Sequence, residues 1–171
     1  FIDRKRPNFD AVRMYTHSTD AGWISRSHAA IKPFRLRKPE TVDDALAELS
    51  EPGATAIAGG IDLIRRMRGG DAHNALVDLS GVGGMHGIAD DGDCIRIGAL
   101  TSHWEIETDD MLARRLPDFR RAWTTIGNVR VRMAGTVGGN LMAAEPGYDG
   151  HALLGVIGAT LEFAKARSEE H

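Results

Sequence analysis

The sequence predicts a chain of mixed helix and strand, with a small parallel sheet ahead of an antiparallel hairpin and a group of helices. Three observations predict it. Residues 33–79 alternate short apolar runs with amphipathic stretches, in the order strand–helix–strand–helix–strand; strands joined through helices favour a parallel sheet. After Gly81-Val82-Gly83-Gly84, two short runs flank Asp90-Asp91-Gly92-Asp93, the pattern of a hairpin with an acidic turn. Two glycine-rich stretches, Ala58-Gly59-Gly60-Ile61-Asp62 and Gly135-Thr136-Val137-Gly138-Gly139-Asn140, each follow an apolar or β-branched run.

Residues 1–30 show no sustained period and read as an extension with at most short local structure. Order begins near Pro33, where Phe34 and Leu36 alternate with Arg35 and Arg37 as on an edge strand. Thr41-Val42-Asp43-Asp44 reads as a capping box with Asp in the place of Glu or Gln. Val42, Ala45, Leu46 and Leu49 give the following helix one apolar face, and Pro52-Gly53 stops it. Ala54 to Ala58 is too short for a helix between breakers and reads as a buried strand. The first glycine stretch follows, then a helix over 61–68 ended by Gly69-Gly70. Ala75 to Leu79 is a further short strand.

In the second half, Met85–Ala89 and Cys94–Ala99 form the predicted hairpin. Ser102 caps a short helix through Trp104 and Ile106. Pro117 opens another helix, with Phe119, Ala122, Trp123 and Ile126 on one side. Arg114, Arg115, Arg120 and Arg121 fall mostly on the opposite side, as a solvated face or a contact for an acidic partner. Residues 149–157 are apolar nearly all round, which suits a buried helix. Ala159 to Ala164 alternates as a last strand.

Of the 171 residues 42% are hydrophobic, enough for a buried core, and the net charge is -3. The charge is divided. Residues 1–38 hold nine Lys/Arg against three Asp/Glu, and residues 39–171 hold twelve against twenty-one. The basic arm lacks the interleaved aromatics of a nucleic-acid groove, so a solvated or partner-docking extension is expected and nucleic acid is not. A single cysteine, Cys94, excludes an internal disulfide framework and a Cys-only iron–sulfur or zinc site. A reducing compartment, the cytoplasm, is the simpler expectation. No apolar run approaches the length of a membrane span, and the N-terminus has no signal-peptide layout.

The chemistry is concentrated in the glycines. Paired glycines free the backbone to adopt positive φ and to aim successive N–H groups at one point, a nest for an anion. A helix beginning at about Ile61 adds the positive end of its dipole. Two nests in one small protein could grip a pyrophosphate from both sides; two tight turns without a ligand are the plain alternative. Asp62 and Asp149 are the acids of interest, and each could instead cap a helix. The histidines His17, His28, His73, His86, His103, His151 and His171 have no metal-ligand spacing and read as surface or core residues. G-x-G-x-x-G, a P-loop lysine, H-E-x-x-H and G-x-S-x-G are all absent, so no catalytic acid or base and no metal ligand is assigned.

The stretches FRLRKPETVDDALAELS, AIAGGIDLIRRMR, LVDLSGV, IRIGALTSHWEIE, TIGNVRVRMAGTVGGNLMAAEPGYDG and ALLGVIGATLEF carry a specific resemblance. Over residues 33–163 the chain resembles the FAD-binding subunit or domain of the molybdenum hydroxylases, the xanthine dehydrogenase and aerobic carbon monoxide dehydrogenase type. The resemblance implies a two-lobed α+β fold, the FAD-binding PCMH-type domain. A small lobe with a parallel sheet (33–84) faces a larger lobe with an antiparallel sheet (85–171), after a basic extension (1–32). It implies that Gly59, Gly60, Ile61 and Asp62 meet the FAD pyrophosphate, flanked by Ala58 and Leu63. Gly138, Gly139 and Asn140 do so from the second stretch, beside Thr136. Asp149 matches an acid that holds the sugar-alcohol chain or the adenosine portion, Ile126 an apolar position near the flavin ring, and Thr101 a position near the cofactor.

Two positions depart from the pattern. Ile61 stands where Thr, Ser or Asn is common, and Met133 stands where an amide side chain is usual. Similar proteins also continue further, so the second lobe is expected to be C-terminally incomplete. The function implied is electron transfer: FAD on this chain takes electrons from 2Fe-2S clusters on a small partner subunit, and a large partner carries the molybdenum cofactor. The acceptor is NAD, quinone, cytochrome or oxygen. The rival readings are a shortened scaffold subunit that does not retain FAD and a free-standing flavoenzyme.

Overall fold

A computed structural model describes residues 31–164. The predicted extension therefore lies almost wholly outside the described residues. The first half contains β1 (Arg35–Arg37), α1 (Val42–Leu49), β2 (Ala54–Ile57), α2 (Ile61–Arg68) and β3 (Ala75–Asp78), followed by a 3₁₀ turn at Leu79–Gly81. The strands form one parallel sheet in the order β1-β3-β2. β3 is central because it is apolar on both faces: Ala75, Leu76 and Val77 are all buried. Val77 packs with Ala45 of α1 and Val82; Leu76 packs with Leu63 and Met67 of α2. The two helices thus cover opposite faces. β2, expected to be buried, is half-buried, because its place in the sheet is an edge. Thr41 caps α1, its hydroxyl accepting from the Asp44 N–H at 3.1 Å.

The second half opens with the antiparallel pair β4 (Ile88–Asp90) and β5 (Ile95–Ile97). Pairing continues at its base, where Gly98 N–H donates to Gly87 and Leu100 N–H to Met85. A Cβ on Gly98 would collide with the Met85 carbonyl, so the strands could not come this close with any other residue. Six helices follow among the described residues: α3 (His103–Thr108), α4 (Asp110–Arg115), α5 (Pro117–Trp123), α6 (Val129–Ala134), α7 (Val137–Met142) and α8 (Gly150–Val156). Their core is Ile106, Leu112, Phe119, Trp123, Ile126, Val137 and Leu154, closed on one side by Ile88, Ile95 and Ile97 of the hairpin. The architecture is α+β, and among the described residues the antiparallel sheet is two-stranded.

Ser102 forms a complete capping box on α3: its hydroxyl accepts from Glu105 N–H, and the Glu105 carboxylate accepts from Ser102 N–H at 2.8 Å. Ser102→Ala is expected to lower stability by about 1 kcal/mol, measured by chemical denaturation; an unchanged midpoint would show that the box is redundant.

Four expectations are corrected. The helix from Pro117 ends at Trp123, and Ile126 reaches the core from the turn beyond it. α8 is not a buried helix. Leu154 is buried, but Val156 is 85% exposed, since the helix lies across the core edge and one face alone meets it. Residues 159–164 form no strand, having no partner to pair with among the described residues. Of the arginines assigned to a solvated face, Arg115 bonds Asp90 and the Gly92 carbonyl, and Arg120 bonds the Glu107 carbonyl at 2.6 Å. Those two fasten helices to the hairpin and to α3.

Candidate functional site

The first glycine stretch is the turn from β2 into α2. Gly60 occupies the N-cap with φ +73°, a left-handed conformation that favours glycine. It brings no side chain to the helix end. The N–H groups of Ile61, Asp62 and Leu63 precede the first intrahelical bond, Ile64 to Gly60, and have no cap. Leu63 is buried beneath them and Ile61 is 39% exposed above. Asp62 does not cap the helix. Its carboxylate is held by Arg65 at 2.6 Å and Arg66 at 2.9 Å. A carboxylate at this position would repel an arriving anion; the two guanidinium groups offset that charge.

The second stretch takes a different form from the nest expected of it. Thr136 is the N-cap of α7, its hydroxyl accepting from Gly139 N–H at 3.1 Å, and neither Gly138 nor Gly139 has positive φ. The Val137 N–H goes to the Thr101 carbonyl (3.0 Å), Gly138 N–H to Ala99 (2.7 Å) and Asn140 N–H to Thr136 (2.9 Å). The backbone donors here are therefore engaged within the chain. The glycines serve close packing instead: a Cβ on Gly138 would press on Ala99 at 2.8 Å, while Gly139 is exposed and meets Thr136 alone.

The two stretches touch. A Cβ on Gly59 would collide with the Ala134 carbonyl, and Gly135 N lies 3.2 Å from the same point. Turn and helix start are thus backbone neighbours across the two halves of the chain. Ala144, with φ +49°, ends α7 in a left-handed conformation uncommon for a residue with a Cβ. Asp62 raises the Arg65 pKa above its ordinary value by hydrogen bond and charge, and Tyr148 and Glu145 lie near enough to add to it. Asp149 is exposed at the start of α8 and makes no side-chain cap. Among the described residues its carboxylate makes no hydrogen bond or ion pair.

Other predicted residues sit deeper. Thr101 is wholly buried, its hydroxyl donating to the Gly87 carbonyl (2.9 Å) and accepting from the Gly87 N–H (3.0 Å). It ties the hairpin base to α7. Ile126 is in the core beside Trp123 rather than on an open face. The Asn140 side-chain oxygen is buried without a hydrogen-bond partner, against Gly150. Ala58 is half-buried at the end of β2.

Sequence reasoning missed one feature. Arg132 bonds the Glu107 carboxylate at 2.8 Å and the Gly127 carbonyl at 2.8 Å, locking α6 to α3. Of the two places the sequence left open for His103, surface or core, the structure gives the core: it is 2% exposed beneath Gly135. Its one sequence signal is its place directly after a capping serine, which turns it inward.

The backbone geometry suits a pyrophosphate at the first stretch, where uncapped N–H groups and a Cβ-free turn coincide; the second stretch provides surface rather than donors. Residues 32–171 match the family described as FAD binding domain in molybdopterin dehydrogenase. The carbon monoxide dehydrogenase medium chain of Afipia carboxidovorans is 36% identical over 133 residues, covering 76% of this chain and 46% of that protein. That of Hydrogenophaga pseudoflava is 32% identical, covering 70% and 43%. Among solved structures, reconstituted CO dehydrogenase from Oligotropha carboxidovorans superposes with a TM-score of 0.69 at 34% identity, covering 72% of this chain and 44% of that one. The chain spans less than half the length of these relatives. A match over residues 32–171, which takes in the parallel sheet and both glycine stretches, places this chain in the family of FAD-binding domains of molybdopterin dehydrogenases.

Proposed function

We propose that this chain binds FAD between the lobes 33–84 and 85–171 and serves as the electron-transfer flavoprotein part of a molybdenum-dependent oxidoreductase. The observation that carries the reading is the meeting of the two glycine stretches at Gly59 and Ala134, with the open N-terminus of α2 beside it. In this arrangement Gly59, Gly60 and the N–H groups of Ile61, Asp62 and Leu63 hold the pyrophosphate. Gly138 and Gly139 form a wall without side chains, and Thr136 holds that wall in shape. Asp149 is free to accept hydrogen bonds from sugar hydroxyls. The bound isoalloxazine supplies the redox chemistry, and the protein supplies position and electrostatics.

The medium-chain names of the relatives support a place in a multi-subunit enzyme. We read the partners as a small iron–sulfur subunit that donates electrons and a large subunit that carries the molybdenum cofactor. The acceptor is an external one, drawn from NAD, quinone, cytochrome and oxygen. The single cysteine supports a cytoplasmic setting, and no helix among the described residues is long and apolar enough to cross a membrane.

The test is the flavin content of the purified protein with its partners, read by absorbance and fluorescence of the FAD released on denaturation, where the iron–sulfur bands do not interfere. About one equivalent of FAD per chain is expected; a complex that releases none would establish an empty scaffold. Ile61 offers a graded version. A hydroxyl at this helix start adds one donor to the pyrophosphate, so Ile61→Ser is expected to tighten FAD binding about fivefold, the worth of about 1 kcal/mol. Titration of the apoprotein measures it, and weaker binding would move the pyrophosphate away from α2.

A further inference from the structure

Beneath the second glycine stretch lies a buried histidine that the proposed electron-transfer role does not use. His103 is 2% exposed. Its ring lies 5.6 Å from that of Trp123, and its Nδ1 has no hydrogen-bond partner. A Cβ on Gly135 would sit 3.0 Å from His103 Cδ2 and 3.2 Å from Nε2, so the ring fills the space directly under Gly135. The same residue is joined to the stretch through its backbone: His103 N–H donates to the Gly135 carbonyl at 3.0 Å, and Ser102 bridges Thr136. Gly135 and Thr136 therefore rest on His103.

The surroundings accept a neutral ring and oppose a charged one. Protonated imidazole presents two donors, and Nδ1 has no acceptor to meet. Of the charges on the packed helices, Arg132 of α6 bears on the ring; Arg130 is exposed. On α5, Arg120 turns to the Glu107 carbonyl, and Asp118 and Arg121 are exposed. On α3 itself, Glu105 is taken up by Ser102 and His86, and Glu107 by Arg132. No free carboxylate among them stands ready to stabilise an imidazolium. Burial, with Arg132 adding to it, holds the His103 pKa below its ordinary value of 6.5.

We infer that His103 is a positioning residue for the cofactor site: neutral, it supports Gly135 and Thr136 against Gly59; protonated, it withdraws that support and FAD is released. The inference rests on the FAD reading above. The sign follows from linkage. The unfolded or loosened chain takes up a proton at about pH 6.5, and the closed site does so only at lower pH. Support is therefore complete above about 6.5 and is lost as pH falls towards the lowered folded value.

The experiment is FAD titration of the full chain, in the complex in which it purifies, between about pH 7.5 and about pH 5. FAD affinity should fall about tenfold across this range, and His103→Gln should flatten the dependence to under about twofold. Equal slopes in the two proteins overturn the inference. Should His103→Gln fail to fold, the His103 ring is titrated by NMR in the wild type. By reciprocity bound FAD lowers its pKa, and an identical pKa with and without FAD overturns it. Hydrogen exchange of residues 134–140 without flavin separates this from the FAD reading. Lower protection at acid pH in wild type, measured against the intrinsic exchange rate at that pH and absent in His103→Gln, supports the His103 link even if no FAD binds, whereas matching protection in the two proteins refutes it.

Discussion

Gly59→Ala is expected to abolish FAD retention and to lower stability by about 3 kcal/mol, the upper part of the range for overpacking. The added methyl points at the Ala134 carbonyl, a backbone atom with no rotamer to change. Relief requires the turn to withdraw from α6 and α7, which separates the uncapped start of α2 from the Gly138-Gly139 wall. The neighbouring Gly60→Ala isolates the backbone component. Its Cβ would meet flexible side-chain atoms of Ile64 at 3.3 Å and Ile57 at 3.5 Å, so its cost comes from φ +73°, about 1 kcal/mol. Flavin content and thermal unfolding of both variants are the measurements. A Gly59→Ala protein with full flavin and an unchanged midpoint would mean that the lobes do not meet here.

Trp123→Ala is expected to cost about 4 kcal/mol, within the range for truncating a buried Trp. The ring is wholly buried between Phe119, at 5.1 Å, and His103, at 5.6 Å, and lies close to Gly150 of α8. The cavity would open beneath α3, α5 and α8 together, so none of them could collapse into it without moving another. Trp123→Phe retains an aromatic face towards His103 and is expected to recover most of the loss. The indole N–H has no partner among the described residues, so losing it sacrifices no hydrogen bond there. Urea denaturation of both variants tests this, and equal losses would show that the indole shape rather than an aromatic filling is required.

The parallel half of the fold was legible because its elements are long enough to show a period and are bounded by breakers such as Pro52-Gly53 and Gly69-Gly70. The six-residue helices α4, α6 and α7 were not, since six residues span under two helical turns and give no periodicity to count. Apolar composition at 149–157 suggested burial, but composition does not say how much neighbouring surface is available, and α8 finds a partner on one face alone. At the site, the start of α2 was legible from Gly60 and the residues after it. The second stretch was misread as a nest because its glycines suggested positive φ, whereas the Thr136 cap winds them into a helix. That Gly59 must lack a Cβ could not be read locally, because the obstructing carbonyl belongs to Ala134, in the other half of the sequence.

That last contact has a consequence for the order of folding. β1, β2 and β3 gather neighbours along the chain, and the second core gathers residues from 88 to 154. The joint between Gly59 and Ala134 instead closes a loop that runs from α2 through β3 and the hairpin to the end of α6. Contacts across long loops are entropically costly and form slowly compared with local ones. Each half is therefore expected to consolidate before the joint closes, leaving the meeting of the two glycine stretches as the last feature to appear during refolding. FAD added at that stage would act as a clasp on two finished pieces.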